Sequence, residues 1–428
     1  MREQLSFEKK GGRIEIPYGK EKITIPIPEG WEFHVLRPEP ISPAPDPVKE
    51  VLQSLEHPLG MKRLQDFSEA KSAAIAINDE TRPVQNHLIL LLLLEKLHTI
   101  GIPHSAIQIL IASGLHSPTP ESRFTNLLPP EIINRYRILA HDATNSALEF
   151  LGKTSRATPV LVNPLFYKAE LRTAIGMIDP HQFVGYTGGV KCAAIGLAGA
   201  QTIEANHSML FHPQASIGEI VNNPVRQDIE EIGKLMGVHF VINVVLDEKN
   251  RIIKAFSGDP LLVESVGSEF CRTVYEIKTS EEYDVVIASP GGYPKDINVY
   301  QAQKALAHAT PLVRRGGEII LVAECPDGHG DETFYQTMKQ YRTPEEVVES
   351  FQREKFRMGV HKAYLWTRSL TKARVYLYSN LNEGLSRGLM TIPVKSVKDL
   401  FLSLKTKYSQ PPKIAVMPKA NSTYARVV

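Results

Sequence analysis

The segment DPHQFVGYTGGVKCAAIG, from Asp179 to Gly196, places His181 ten residues before Lys191, with Gly188 and Gly189 between them. Imidazole exchanges protons near neutral pH, an amine serves as cation or nucleophile, and paired glycines let backbone approach a ligand closely. Phosphate binding is the first chemistry such a string suggests. The G-x-x-x-x-G-K-[ST] pattern fails twice, however: the sixth residue from Gly185 is Val190, and Cys192 follows the lysine. The amides of Gly188 and Gly189 remain candidates for an anion nest without that motif. His116, in GLHSP, and His207, in the Gly- and Ala-rich IGLAGAQTIEANH, are the other histidines with a suggestive context. His34, His57, His98 and His239 have no such neighbours. No H-E-x-x-H is present, and His116, His181 and His207 are spread over about 90 residues, so spacing alone does not define a metal site. These residues by themselves leave open an anion- or nucleotide-binding protein without redox chemistry, and a metal-dependent hydrolase with dispersed histidines.

The elements that must position these groups follow from hydrophobic patterning. GRIEIPYGKEKITIPIP alternates around Tyr18-Gly19-Lys20 and predicts a hairpin, and the Pro-rich RPEPISPAPDPVKE after it predicts an extended surface crossing. Short apolar runs, KSAAIAI, AIQILIASG and TPVLVNP, then alternate with helical patterns such as VQNHLILLLLLEKLHTIG and NPVRQDIEEIGKLMG. VHFVINVVLDEKNRIIKAF reads as a strand pair. A second series starts at YDVVIASPGG, with the helix INVYQAQKALAHA, the strand GEIILVAE and the helix TPEEVVESFQREKF, whose Thr343 and Glu346 match a capping box. Such alternation predicts two α/β domains with mainly parallel sheets, divided near Thr279 into residues 1–278 and 279–428, with a cofactor and substrate cleft between them. The last residues are allowed to pack back on the N-terminal domain. In open α/β sheets the loops at the C-terminal ends of strands line the ligand crevice, which selects NDETRP, GLHSP, DPHQFVGYTGGVK and GGYPKDINVYQ.

Composition narrows the partners. The chain has 428 residues, 43% of them hydrophobic, enough for a large core, and its 49 basic and 47 acidic residues provide no electrostatic pull toward nucleic acid or an anionic membrane. The N-terminus lacks the apolar core of a secretory signal, and the apolar run Leu88 to Leu94 is too short to cross a bilayer, so a cytoplasmic location is expected. Cys192, Cys271 and Cys325 form no C-x-x-C pair and read as buried thiols. ECPDGHGDE lacks the ligand spacing of an EF-hand, and Trp366 and Tyr300 read as core aromatics.

Five blocks, NDETRP, GLHSP, PHQFVGYTGGVK, ANH and GGYPKDINVYQAQKAL, in this order and with these separations, resemble the nickel-pincer lactate racemase family of 2-hydroxy-acid racemases and epimerases over nearly the whole chain. The resemblance implies nickel held by a pyridinium-3,5-bisthiocarboxylic acid mononucleotide, supplied by cofactor-biosynthesis proteins. It implies that His207 is the protein ligand to nickel, consistent with the imidazole and sulfur donors that square-planar Ni(II) accepts. Lys191 can form a thioamide with one cofactor arm, Gly188 and Gly189 line the cofactor, and Asp79 orients either the Arg82 guanidinium or a cofactor hydroxyl.

The family's paired acid/base histidines fall on His116 and His181, one for each face of the substrate. The implied reaction removes the hydroxyl proton of a 2-hydroxy acid while its C2 hydrogen leaves as hydride, forming a transient 2-keto acid, and then returns both to the opposite face. Arg82 and Lys304, with Gln301 nearby, match the family's carboxylate-holding positions, and the guanidinium fork suits a planar carboxylate. Ser117 follows His116 where a basic residue is frequent, and Ile195 stands where many members have proline. The resemblance thus specifies the reaction type more closely than the acid, and the oligomeric state is left open.

Overall fold

The computed structural model describes residues 6–353 and 359–427. The chain divides into two compact units, one of residues 40–274 and one combining 1–39 with 275–428.

The unit of residues 40–274 is built on a six-stranded sheet. In order across it the strands are Ile252–Gly258, Phe240–Leu246, Leu171–Met177, Ala73–Asn78, Ile107–Ala112 and Arg137–Ala140. All neighbours are parallel except the first two, the strand pair expected around Glu248-Lys249-Asn250. The runs AAIAI and FVINVVL are buried at every position, the signature of strands covered on both faces. The helix Asn86–Thr99 presents Ile89, Leu90, Leu93, Leu94 and Leu97 to the same core and gives way at Gly101. The helix Pro224–Met236 opens with proline behind an Asn223 cap that accepts from the amides of Val225 and Arg226, and stops at left-handed Gly237. TPVLVNP forms a strand, Pro159–Val162, but in a separate antiparallel pair with Glu149–Lys153.

In the second unit the hairpin Ser6–Tyr18 and Glu21–Val35 adds to one edge of a sheet continued in parallel by Ile414–Met417, Tyr283–Ala288, Val313–Val322, Arg374–Tyr378 and Ile392–Val394. This corrects the expected domain limits. Residues 1–39 belong with the C-terminal unit, because Phe33, His34 and Val35 pair with Ile414, Ala415 and Val416, and Ile16, Ile25, Trp31 and Phe33 fill one core with Phe401, Leu404 and Val285. The proline stretch is the strand-free connection between the units, and the boundary at Tyr275 lies close to the expected one. The last strand, Tyr424–Val427, pairs with Glu276–Thr279 inside the C-terminal unit. The capping box is present in altered form: Thr343 Oγ1 accepts from the Glu346 amide, while Glu346 accepts from the amide of Arg342. The last residues of that expected helix lie outside the described residues. Trp366 is fully buried, donating to the Leu389 carbonyl at 2.8 Å, and Tyr300 packs against the same core. Among the described residues no helix is long and apolar enough to cross a membrane.

The hairpin's membership is testable. Trp31, 5% exposed and set edge-on against Phe401 at 5.9 Å, anchors it. Trp31→Ala should cost about 3–5 kcal/mol. Hydrogen exchange should speed up at the paired strand Ile414–Met417 and stay unchanged in Ala73–Asn78.

Candidate active site

The strand Ala73–Asn78 delivers Asp79 into the NDETRP loop, and Ile107–Ala112 leads into the turn bearing His116. Asp79 is 6% exposed and accepts from the Thr81 amide at 3.1 Å, from the Thr81 hydroxyl at 2.6 Å and from His116 Nδ1 at 2.8 Å. Burial pushes the Asp79 carboxyl up, but the bonds from His116 and Thr81 outweigh it and hold it below the ordinary carboxylate range. A carboxylate only accepts, so Nδ1 of His116 carries a proton and the lone pair of the neutral ring sits on Nε2. Asp79 therefore orients His116. His116 itself is open to solvent, its side chain 45% exposed.

His181 lies beyond Leu171–Met177 in a miniature hairpin that pairs Pro180–His181 with Gly185–Tyr186. Its Nδ1 faces the amides of Phe183 at 3.5 Å and Val184 at 3.3 Å, which places the proton of the neutral ring on Nε2. These contacts are long, hence weak. The Phe183 ring stands edge-on to His181 at 4.6 Å and to His207 at 5.2 Å, so one phenyl group spaces the two imidazoles.

The segment from Tyr186 to Lys191 is tied down by residues that its own motif does not contain. Fully buried Arg226 donates to the carbonyls of Tyr186 at 3.4 Å and Gly188 at 3.3 Å, and pairs with Glu230 and Glu264. The Gly189 amide donates to Asn243 Oδ1 at 2.6 Å. That amide is therefore committed to the protein, which removes half of the expected anion nest. Gly188 and Gly189 have φ of +104° and +54°, and a Cβ on Gly188 would lie 2.6 Å from Ile178 and 2.8 Å from Glu264. The glycines are required by close packing of the protein's own side chains as much as by any ligand.

Lys191 begins the short helix Lys191–Gly196 and is half-buried. Burial, reinforced by the charges of Arg82 and Arg226, lowers its amine to about 7, with Cys192 and Glu264 pulling weakly the other way. Among the described residues neither Lys191 nor half-buried Arg82 has a carboxylate or hydrogen-bond acceptor for its cationic head. Two neighbouring cations without counter-ions make a receptor for anions. The adjoining Cys192 thiol is pushed up to about 12 by burial and is inert, and Cys271 and Cys325 are likewise buried and unpaired.

His207 is on the helix Ala200–Ser208, with Nδ1 2.9 Å from Asn206 Oδ1. Among the described residues no three His, Cys, Asp or Glu side chains group as a metal cage. Gln301 and Lys304 lie in the C-terminal unit on the helix Val299–Ala309, which Asn298 caps by accepting from the Gln301 amide at 3.0 Å, and both are half-buried.

Comparison with known proteins fits this arrangement. The lactate racemase N-terminal domain model matches residues 18–218 and the C-terminal domain model residues 278–423. The chain is 32% identical over 423 residues to the lactate racemase of Thermoanaerobacterium thermosaccharolyticum, covering 96% of this chain and 99% of that one. It is 32% identical over 342 residues to that of Lactiplantibacillus plantarum, covering 78% and 80%. The solved lactate racemase apoprotein from T. thermosaccharolyticum superposes with a TM-score of 0.88 at 31% identity, over 97% of this chain and all of that one. A Thermotoga maritima protein shares the fold at a TM-score of 0.62 and 19% identity, over 89% of this chain and 97% of that one. The two α/β units are those of an isomerase of the racemase class. The chain belongs to the lactate racemase family.

The lowered amine has a direct readout. Acylation of Lys191 by a small amine reagent, followed by mass spectrometry, should rise through a midpoint near 7, well below that of surface lysines. Arg82→Met removes a neighbouring positive charge, so the midpoint should move up; an unchanged midpoint would refute the coupling.

Proposed function

We propose that the protein inverts C2 of a short 2-hydroxy acid, lactate or a related carboxylate, through a transient 2-keto acid, with a nickel-pincer pyridinium mononucleotide as cofactor. The observation that carries this reading is an Asp79-oriented imidazole, His116, in the same loop cluster as two cations lacking counter-ions, Arg82 and Lys191. The residues fit the cofactor. Lys191, half neutral at pH 7, suits either an ion pair with an acidic arm or acyl transfer to its amine, and His207 presents an imidazole nitrogen to a soft-liganded metal. When bound, the pyridinium ring supplies an acceptor for the C2 hydride and returns it.

The chain's own groups do the rest. Arg82 holds the substrate carboxylate with two parallel donors, and Lys304 and Gln301 are assigned to the same anion. His116 Nε2 takes the hydroxyl proton, and Asp79 stabilises the imidazolium that results. His181, with its proton on Nε2, donates a hydrogen bond to the substrate oxygen as the keto group forms and keeps that proton. To act as base for the mirror-image substrate, His181 must carry its proton on Nδ1, which gives up the long contacts from Phe183 and Val184. Lactate is the acid of the relatives, which are lactate racemases; Ser117, beside His116, is where this chain's acid is expected to differ.

The test is racemisation of a panel of 2-hydroxy acids in deuterium oxide by protein co-expressed with cofactor-making enzymes. Protium should stay at C2, and extensive solvent deuterium there in the first turnover would overturn hydride return in favour of proton abstraction. Protein made without the cofactor pathway should be inactive. His116→Ala and His181→Ala should each lower kcat by about 10²–10⁴. Asp79→Asn should do the same in part, because an amide can hold the His116 ring with its proton on either nitrogen.

A further inference from the structure

Asn206 and Asp228 have no part in the reading above, yet their hydrogen bonds decide which nitrogen of His207 carries a proton. Both are fully buried. The Asn206 amide nitrogen donates to Asp228 Oδ2 at 2.8 Å and to the Val225 carbonyl at 3.1 Å. With both donors spent on pure acceptors, the amide cannot be turned, and its oxygen must face His207 Nδ1 at 2.9 Å. Nδ1 is then the donor, and the lone pair lies on Nε2.

Asp228 is held in turn. Its carboxylate accepts from the hydroxyls of Thr154 at 2.6 Å and Thr158 at 3.0 Å, in the turn joining Glu149–Lys153 to Pro159–Val162, and among the described residues no cation pairs with it. The carboxylate accepts from the Asn206 amide and so fixes which end of that amide faces His207. Through Asn206, the acceptor at Asp228 favours the tautomer with the proton on Nδ1. Partners behind a ligating histidine act in this way on metal affinity.

We infer that Asp228 and Asn206 are positioning residues that fix the tautomer of His207 and so the nitrogen it presents to a divalent transition metal. The metal part rests on the proposed nickel cofactor; the tautomer part does not.

Two measurements test it. In apoprotein labelled with ¹⁵N-histidine, with His207 assigned by loss of its signals in His207→Gln, the wild type should show a protonated Nδ1 and a pyridine-like Nε2. Asp228→Asn, which keeps shape but removes the pure acceptor, should mix the two tautomers. Asn206→Asp combined with Asp228→Asn restores an acceptor-only group facing His207 and should restore the single tautomer. Asn206→Leu is a second way to break the relay should Asp228→Asn fail to fold. In protein loaded by co-expression, nickel loss to EDTA should quicken on the order of tenfold or more in the single variants and recover in the double one. A single variant with an unmixed tautomer, or a mixed tautomer with unchanged nickel loss, overturns the inference. Wild-type protein that never retains nickel overturns the cofactor reading, and the tautomer measurement alone then decides the relay.

Discussion

The arrangement of the site depends on a guanidinium with no access to solvent. Arg226 lies at the start of the helix Pro224–Met236, where Asn223 fixes the backbone, and it gathers two carboxylates and two loop carbonyls around its donors. Breaking a buried charged pair costs about 3–5 kcal/mol, because the group left behind cannot recover its hydration. The balance here is finely set: burial pushes the Glu264 carboxyl up to about 7 against the pull of Arg226. With the carbonyls of Tyr186 and Gly188 held by Arg226 and the Gly189 amide by Asn243, the chain between His181 and Lys191 has little freedom. The ten-residue spacing in the sequence thereby becomes a set distance in space.

A second principle runs through the three histidines. Each has one nitrogen facing a group that can only accept or is held so that it accepts, or that can only donate, and this partner decides where the proton sits. Asp79 accepts from His116, backbone amides donate to His181, and the locked Asn206 oxygen accepts from His207. Three side chains of one residue type thus carry the proton of the neutral ring at different nitrogens, each chosen by its hydrogen-bond partner.

Much of this was legible in the sequence, for identifiable reasons. Parallel strands buried on both faces are continuous apolar runs, so AAIAIN, IQILIA and FVINVVL announce themselves, and the loops after Ala73–Asn78, Ile107–Ala112 and Leu171–Met177 carry Asp79, His116 and His181 as the crevice rule requires. The hairpin Ser6–Val35 was legible as a hairpin but not in its membership, because edge pairing with Ile414–Met417 is a contact across most of the chain. Arg226, Asp228, Asn206 and Asn243 carry no local signal: on amphipathic helices and a strand they look like ordinary polar positions, and only tertiary packing buries them. Gly188 and Gly189 were recognised as special, yet the cause in view, a ligand close by, was incomplete. Ile178, Glu264 and Arg226 crowd the same space.

The charges around Lys191 bear on how the proposed anionic cofactor would be held. Two half-buried cations side by side, Arg82 and Lys191, raise each other's cost, and in the free protein the cost is met by lowering the Lys191 amine until it is half neutral at pH 7. An anion that docks against Arg82 reverses this: its charge favours the ammonium, and Lys191 becomes an ion-pair partner. An acylating group that reaches the amine before that proton is regained meets a nucleophile instead. Whether the lysine is joined covalently to its ligand thus depends on which the ligand does first, neutralise Arg82 or react. That order is set by where the ligand's negative charge and its electrophilic carbon lie relative to Arg82 and Lys191.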